Sequence, residues 1–170
     1  MRAPRTLSIA TLVCLTICAF SNWAAAGQSD EAVAERVLGP QWKLLSQHAG
    51  MVFTGTVLAA GPQAVGTDRG VPAIEVNFRV DRPIAGVERG QILTIREWTG
   101  AASRHRAMRS GEHILLFLYP VSRLGLTSPV GGPLGQITLD GSGVNVAASA
   151  VSTPVKVEQL ERAIRGARGE

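Results

Sequence analysis

The sequence predicts a mainly β domain: a small five-stranded barrel, closed or nearly so, with a C-terminal helix and a short N-terminal helical segment. Three observations carry this. Ile74, Val76, Phe78 and Val80 alternate strictly with Glu75, Asn77, Arg79 and Asp81, the period-2 pattern of a half-buried strand. His113 to Tyr119 reads His-Ile-Leu-Leu-Phe-Leu-Tyr between Gly111 and Pro120, a short, almost unbroken apolar run that fits a strand covered on both faces. In residues 151–170 the period changes, and Val157, Leu160 and Ile164 fall on one helical face. Five or six short strands favour a barrel over a sandwich, which wants more strands at regular spacing.

The chain opens with the three parts of a secretory signal peptide, residues 1–26. Arg2 and Arg5 supply the positive start, Leu7 to Phe20 is uncharged and apolar, and Ala24-Ala25-Ala26 offers small residues for cleavage. The apolar run is shorter than the ~20 residues a membrane helix needs, so no span is expected after cleavage. Residues 27–49 form the helical segment. Ser29 to Leu38 suits a short helix stopped by Gly39-Pro40, and Gln41 to His48 suits a second, with Trp42 and Leu45 on one side.

The barrel is assigned to residues 50–150. Gly50 to Ala60 is rich in β-formers, and Gly61 to Pro72, rich in Gly and Pro, is expected to be a loop. The strand around Phe78 ends at Pro83 and Gly86. In Gln91 to Thr99, Leu93 and Ile95 lie on one face and Ile92, Thr94 and Arg96 on the other. Trp98, near its end, is expected to pack at the barrel end, since tryptophan is highly buried on average. Gly100 to Glu112 is a polar, basic connection, and Tyr119 to Pro133 is irregular. Leu134–Leu139 and Val144–Ala147 flank Asp140-Gly141-Ser142-Gly143, which reads as a hairpin turn. In the C-terminal helix, residues 151–170, Thr153 is expected to cap, Pro154 to take the first turn, Glu158 to pair with Arg162, and Gly166 or Gly169 to end it.

Both cysteines, Cys14 and Cys18, lie in the signal, so disulfides and cysteine metal sites are not expected in the mature chain. Removing 26 of 170 residues leaves 144, enough for one domain with its own core. The formal charge falls from +4 to +2 once Arg2 and Arg5 are gone. That balance does not point to nucleic acid, which calls for a dense basic face. Arginine outnumbers lysine 15 to 2, a usage typical of GC-rich bacteria. A secreted or periplasmic bacterial monomer is the expectation.

The run Ala49-Gly50-Met51-Val52-Phe53-Thr54-Gly55-Thr56-Val57 resembles the opening strand of secreted bacterial proteins similar to the inhibitory domain of tissue inhibitors of metalloproteases. Val76 to Asp81 with Ile84-Ala85-Gly86 resembles their second strand, although Ala85 stands where a basic residue is usual. Ile92–Ile95, Gly111 to Leu118 and Leu124-Gly125-Leu126-Thr127-Ser128 follow in the same order. The resemblance spans roughly residues 50–139. It implies a five-stranded oligonucleotide/oligosaccharide-binding (OB) type, TIMP-like barrel. Those inhibitors hold the protease zinc through an N-terminal cysteine. A mature chain without cysteine cannot use that mechanism.

Candidate chemistry is sparse. His48, His105 and His113 lack the tight spacing of zinc ligands, so no metal and no cofactor is expected. No Gly-x-Ser-x-Gly elbow occurs, and Ser128 sits beside Pro129 in a Gly/Pro segment better explained by loop geometry. Arg104, His105, Arg106 and Arg109 form the one basic cluster that could meet an anion or an acidic partner. No aromatic side chains interleave with them, unlike a nucleic-acid platform. The expected function is a secreted, non-enzymatic binding module, protein-directed, with a protease as the partner the resemblance suggests. The alternative is an OB-type barrel binding an oligosaccharide or polyanion near Arg104–Arg109.

Overall fold

The computed structural model describes residues 29–66, 72–103, 106–140, 143–144 and 155–170, with backbone alone for 61–66 and 143–144. Residues 1–28, including the expected signal segment, and Arg104, His105, Thr153 and Pro154 lie outside the described residues. Helix α1, Asp30–Leu38, starts where the Ser29 hydroxyl accepts the Ala32 N–H at 3.2 Å, and Asp30 and Glu31 complement the positive end of its dipole. It stops at Gly39, whose φ of 80° a side chain would resist. Helix α2 follows over Trp42–His48.

Strands β1 (Met51–Gly66), β2 (Pro72–Ala85), β3 (Ile92–Trp98), β4 (His113–Leu118) and β5 (Gln136–Thr138) form one antiparallel sheet in the order β3-β2-β1-β4-β5. The loop expected over Gly61–Pro72 is mostly strand. Pairing of β1 with β2 continues to Gly66 opposite Pro72, and a register shift between Gly61 and Ala64 absorbs the residues that suit a ladder poorly. The hairpin's cooperative pairing overrides local composition.

Of the hairpin expected around Asp140–Gly143, residues 141–142 and 145–147 lie outside the described residues. Strand β5 pairs with β4, whereas β6 (Gly143–Val144) pairs with β7 (Val155–Lys156) in a separate two-stranded sheet. Helix α4 runs from Val157 to Arg168 and ends at Gly169. Its start is later than expected because Val155 and Lys156 are committed to that second sheet.

The alternation read from the sequence sorts side chains onto two cores. On one side of the sheet Phe53, Val57, Val76, Phe78, Val80, Ile95, Ile114, Leu116 and Leu118 pack together. Phe53 meets Phe78 edge-on at 5.8 Å, a favoured aromatic arrangement. On the other side Val52, Ile84, Leu115 and Phe117 pack against Leu160 and Ile164 of α4 and Val33, Leu38, Trp42 and Leu45 of α1 and α2. Strand β4 feeds both cores, and its residues 114–118 are fully buried. The helical layer is therefore wider than α4 alone: the N-terminal helices complete the cover.

Arginines fasten this layer. Arg82 of β2 reaches Glu158 at 2.6 Å and Glu161 at 3.2 Å. Arg162 does not take Glu158. It grips Asp30 of α1 in a fork of 2.7 and 3.0 Å, because the carboxylate across the layer presents both oxygens to the guanidinium plane. Arg168 donates to the Ser46 and Ala49 carbonyls, both at 2.7 Å, satisfying the end of α2 that its own backbone leaves open.

Candidate functional site

Of the basic cluster, Arg106 and Arg109 are described. The Arg106 guanidinium forms a two-pronged pair with Glu112, at 2.8 and 3.1 Å, and donates to Thr138 Oγ1 at 2.8 Å. It joins the start of β4 to β5. The Arg109 N–H also donates to Glu112, at 3.0 Å, while its side chain is exposed and unpaired among the described residues. Arg106 is thus occupied in holding the loop, and a free anion would have to displace Glu112.

Burial pushes the Glu112 carboxyl up, but the Arg109 N–H and the Arg106 guanidinium outweigh it and hold the group below the usual carboxylate range. A carboxyl depressed in the folded state stabilises above its unfolded pKa of 4.5 and loses that contribution as pH falls through the folded value. Glu112→Gln should therefore lower stability at neutral pH and narrow the gap to wild type as pH falls below 4.5, measured by urea titration at several pH values. A pH-independent gap would show that the carboxylate charge contributes nothing.

A second polar group spans β1, β2 and β4. Thr56 donates to Asp81 at 2.6 Å, and Arg79 Nε donates to the other Asp81 oxygen at 3.1 Å. His113 Nδ1 lies 3.4 Å from Thr56 Oγ1 and 3.5 Å from Asp81. In a hydroxyl–imidazole–carboxylate relay the hydroxyl and carboxylate address opposite ring nitrogens. Here both sit at Nδ1, and the Thr56 proton points at the carboxylate. The arrangement ties strands together and does not activate Thr56. A 280 Å³ pocket beside it is lined by Thr54, Asp81, Arg82, Arg89, His113 and Glu158, among others, with Glu158 already engaged by Arg82.

The third feature is apolar. Trp98 does not pack inside a barrel end. It is 48% exposed, because it shares the outward parity of Thr94 and Arg96, while Glu97 takes the buried face. Its ring lies against Gly100, where a Cβ would come within 2.6 Å of it. Facing it, Tyr119, Pro120, Ser122, Leu126, Thr127 and Ser128 complete a 290 Å³ cleft, floored by Ala101 of α3 (Thr99–Ala102). Beside it in the chain, Val121 and Leu124 are 57% and 38% exposed.

The loop carrying these side chains is tied to itself. Tyr119 N–H donates to the Ser128 carbonyl at 3.0 Å and Thr127 Oγ1 to the Tyr119 carbonyl at 2.6 Å. Ser122 N–H donates to the Leu126 carbonyl at 2.8 Å, and Gly125, at φ 73°, turns the tip. Thr127 N–H reaches the Arg96 carbonyl on the open edge of β3 at 2.9 Å. Neither Trp98 nor Tyr119 stood out in the sequence as a site residue, although the parity of Thr94 and Arg96 already places Trp98 outside.

Among the described residues no group of three His, Cys, Asp or Glu side chains could hold a metal. Among them, too, no helix is long and apolar enough to cross a membrane. No protein-family model matches the chain, and no curated protein matches it either.

Proposed function

We propose that this chain is an exported, non-enzymatic module that binds a protein partner through the cleft between Trp98 and Tyr119. The observation that carries the reading is four large apolar side chains, Trp98, Tyr119, Val121 and Leu124, held in solvent by a strand end and an internally bonded loop. Exposed apolar patches of this kind mark interaction surfaces, and a pre-ordered loop lowers the entropy lost on binding. The apolar surface around the cleft favours a protein partner. The cleft lining combines aromatic and apolar surface with the hydroxyls of Tyr119, Ser122, Thr127 and Ser128, and the large exposed apolar side chains around it extend the apolar surface beyond a sugar-sized pocket.

The proposal includes an OB-type barrel, supported by the strand order and by the Thr127–Arg96 bond that draws the loop after β4 to the free edge of β3. The resemblance to metalloprotease inhibitors makes an extracellular protease the first partner to test, by a mechanism without the N-terminal cysteine. The Arg104–Arg109 loop is a weaker surface, since Arg106 is engaged by Glu112.

The test is affinity capture from the native secretome with the mature domain, Trp98→Ala and Arg109→Ala, each checked for folding by circular dichroism. A specific partner retained by wild type and Arg109→Ala, and depleted at least about tenfold by Trp98→Ala, is expected for a central aromatic anchor. A partner lost with Arg109→Ala and kept by Trp98→Ala moves the site to the basic loop.

A further inference from the structure

We infer that the segment entering the cleft is an acidic one: an extended stretch of the partner that places one apolar side chain between Trp98 and Tyr119 and carboxylates on either side of it. This rests on the reading of the cleft as the docking surface and adds the chemistry of what docks there.

The argument is one of charge around an apolar centre. The cleft is lined by Trp98, Ala101, Tyr119, Pro120, Ser122, Leu126, Thr127 and Ser128, none of them charged. On the strand side, Arg96 lies two residues before Trp98 and so shares its outward face. On the loop side, Arg123 follows Ser122 and is the sole charge in the sequence between Tyr119 and Leu139.

Among the described residues, the carboxylates near this rim in the strand sequence are turned away or already paired. Glu97, the acidic residue next to Trp98, is buried on the opposite face of β3. Glu75 is held by Arg96 at 3.2 Å, which leaves that guanidinium half-exposed with further donors. Arg123 is exposed and makes no ion pair among the described residues. The volume of 290 Å³ accommodates one large side chain, so what enters the cleft is a short segment of the partner. A basic segment would set like charges against Arg96 and Arg123, and an uncharged one would leave Arg123 without a partner and the remaining Arg96 donors unused.

Three capped peptides test this: Gly-Asp-Phe-Asp-Gly and its counterparts with Asn or Lys in place of both Asp residues. Each is titrated into the isotopically labelled mature domain and followed by amide and indole chemical shifts. The Asp peptide is expected to shift the Trp98 indole and the Tyr119–Thr127 amides with a Kd about fivefold below that of the Asn peptide, the gain available from two exposed ion pairs. The Lys peptide is expected to bind more weakly still. In Arg123→Gln the Asp preference should shrink to about half its logarithm, whereas Trp98→Ala should remove binding of all three.

If the three peptides bind the cleft equally and Trp98→Ala abolishes them, the acidic preference is wrong and the docking surface stands. If none shifts the cleft at millimolar concentration, both are wrong. Cleft shifts that grow with protein concentration before any peptide is added would make a second copy of the chain the occupant, and would overturn the proposal.

Discussion

A chain ending at Ser152 is expected to bind hydrophobic dye and to aggregate under conditions where the intact chain stays dispersed. The reason lies in β4. Leu115 and Phe117 are wholly buried on the face away from the Phe53–Phe78 core, and Leu160 and Ile164 of α4 are part of what buries them. Without α4 the sequence Ile114-Leu115-Leu116-Phe117-Leu118 becomes an uncharged β segment open on one side, the kind that nucleates intermolecular pairing. Helices α1 and α2 share the cover and lose anchors in the same cut. Asp30 loses Arg162, and the carbonyls of Ser46 and Ala49 lose Arg168. A truncated chain as stable and dispersed as the full one would mean that α4 covers nothing important.

Phe78→Ala is expected to cost about 3–5 kcal/mol, whereas Arg79→Ala should cost under about 1 kcal/mol. Phe78 is fully buried against Phe53, Val57 and their neighbours, so truncation removes a ring from a close-packed site. Arg79, one residue on, points to solvent, where its pair with Asp81 is half-exposed and screened. Urea titrations of the two variants measure both numbers. Equal losses would mean that β2 does not hold the register in which Val80 and Phe78 face inward.

The two-sidedness of β4 and the inward set of β2 were legible in the chain, because side-chain period follows directly from strand geometry. The helical stripe of Val157, Leu160 and Ile164 was legible for the same reason. The turn signature at Asp140–Gly143 did not say that Gln136–Thr138 pairs with β4 or that Gly143–Val144 pairs with Val155–Lys156, since a turn does not specify the long-range partners of its flanks. Glu158 and Arg162 had the right spacing for each other, but spacing along one helix cannot weigh a partner on another. Asp30 and Arg82 compete for them from 76 to 132 residues away.

The candidate site shows the same division. Trp98 could be placed on the outer face from Thr94 and Arg96 alone. Its partner Tyr119 could not, because the cleft exists only where the loop after β4 folds back and Thr127 reaches Arg96. Arg106 and Arg109 looked equivalent in the sequence. The fold separates them, since Glu112 at the entry to β4 captures the one guanidinium it can reach and leaves the other in water. The sequence by itself determined which faces are apolar, that a helix ends at Gly39, and that no cysteine lies beyond Cys18, for these follow from local geometry and composition. Tertiary structure decided which charges are spent and which apolar side chains stay exposed, because both depend on neighbours brought together from distant parts of the chain.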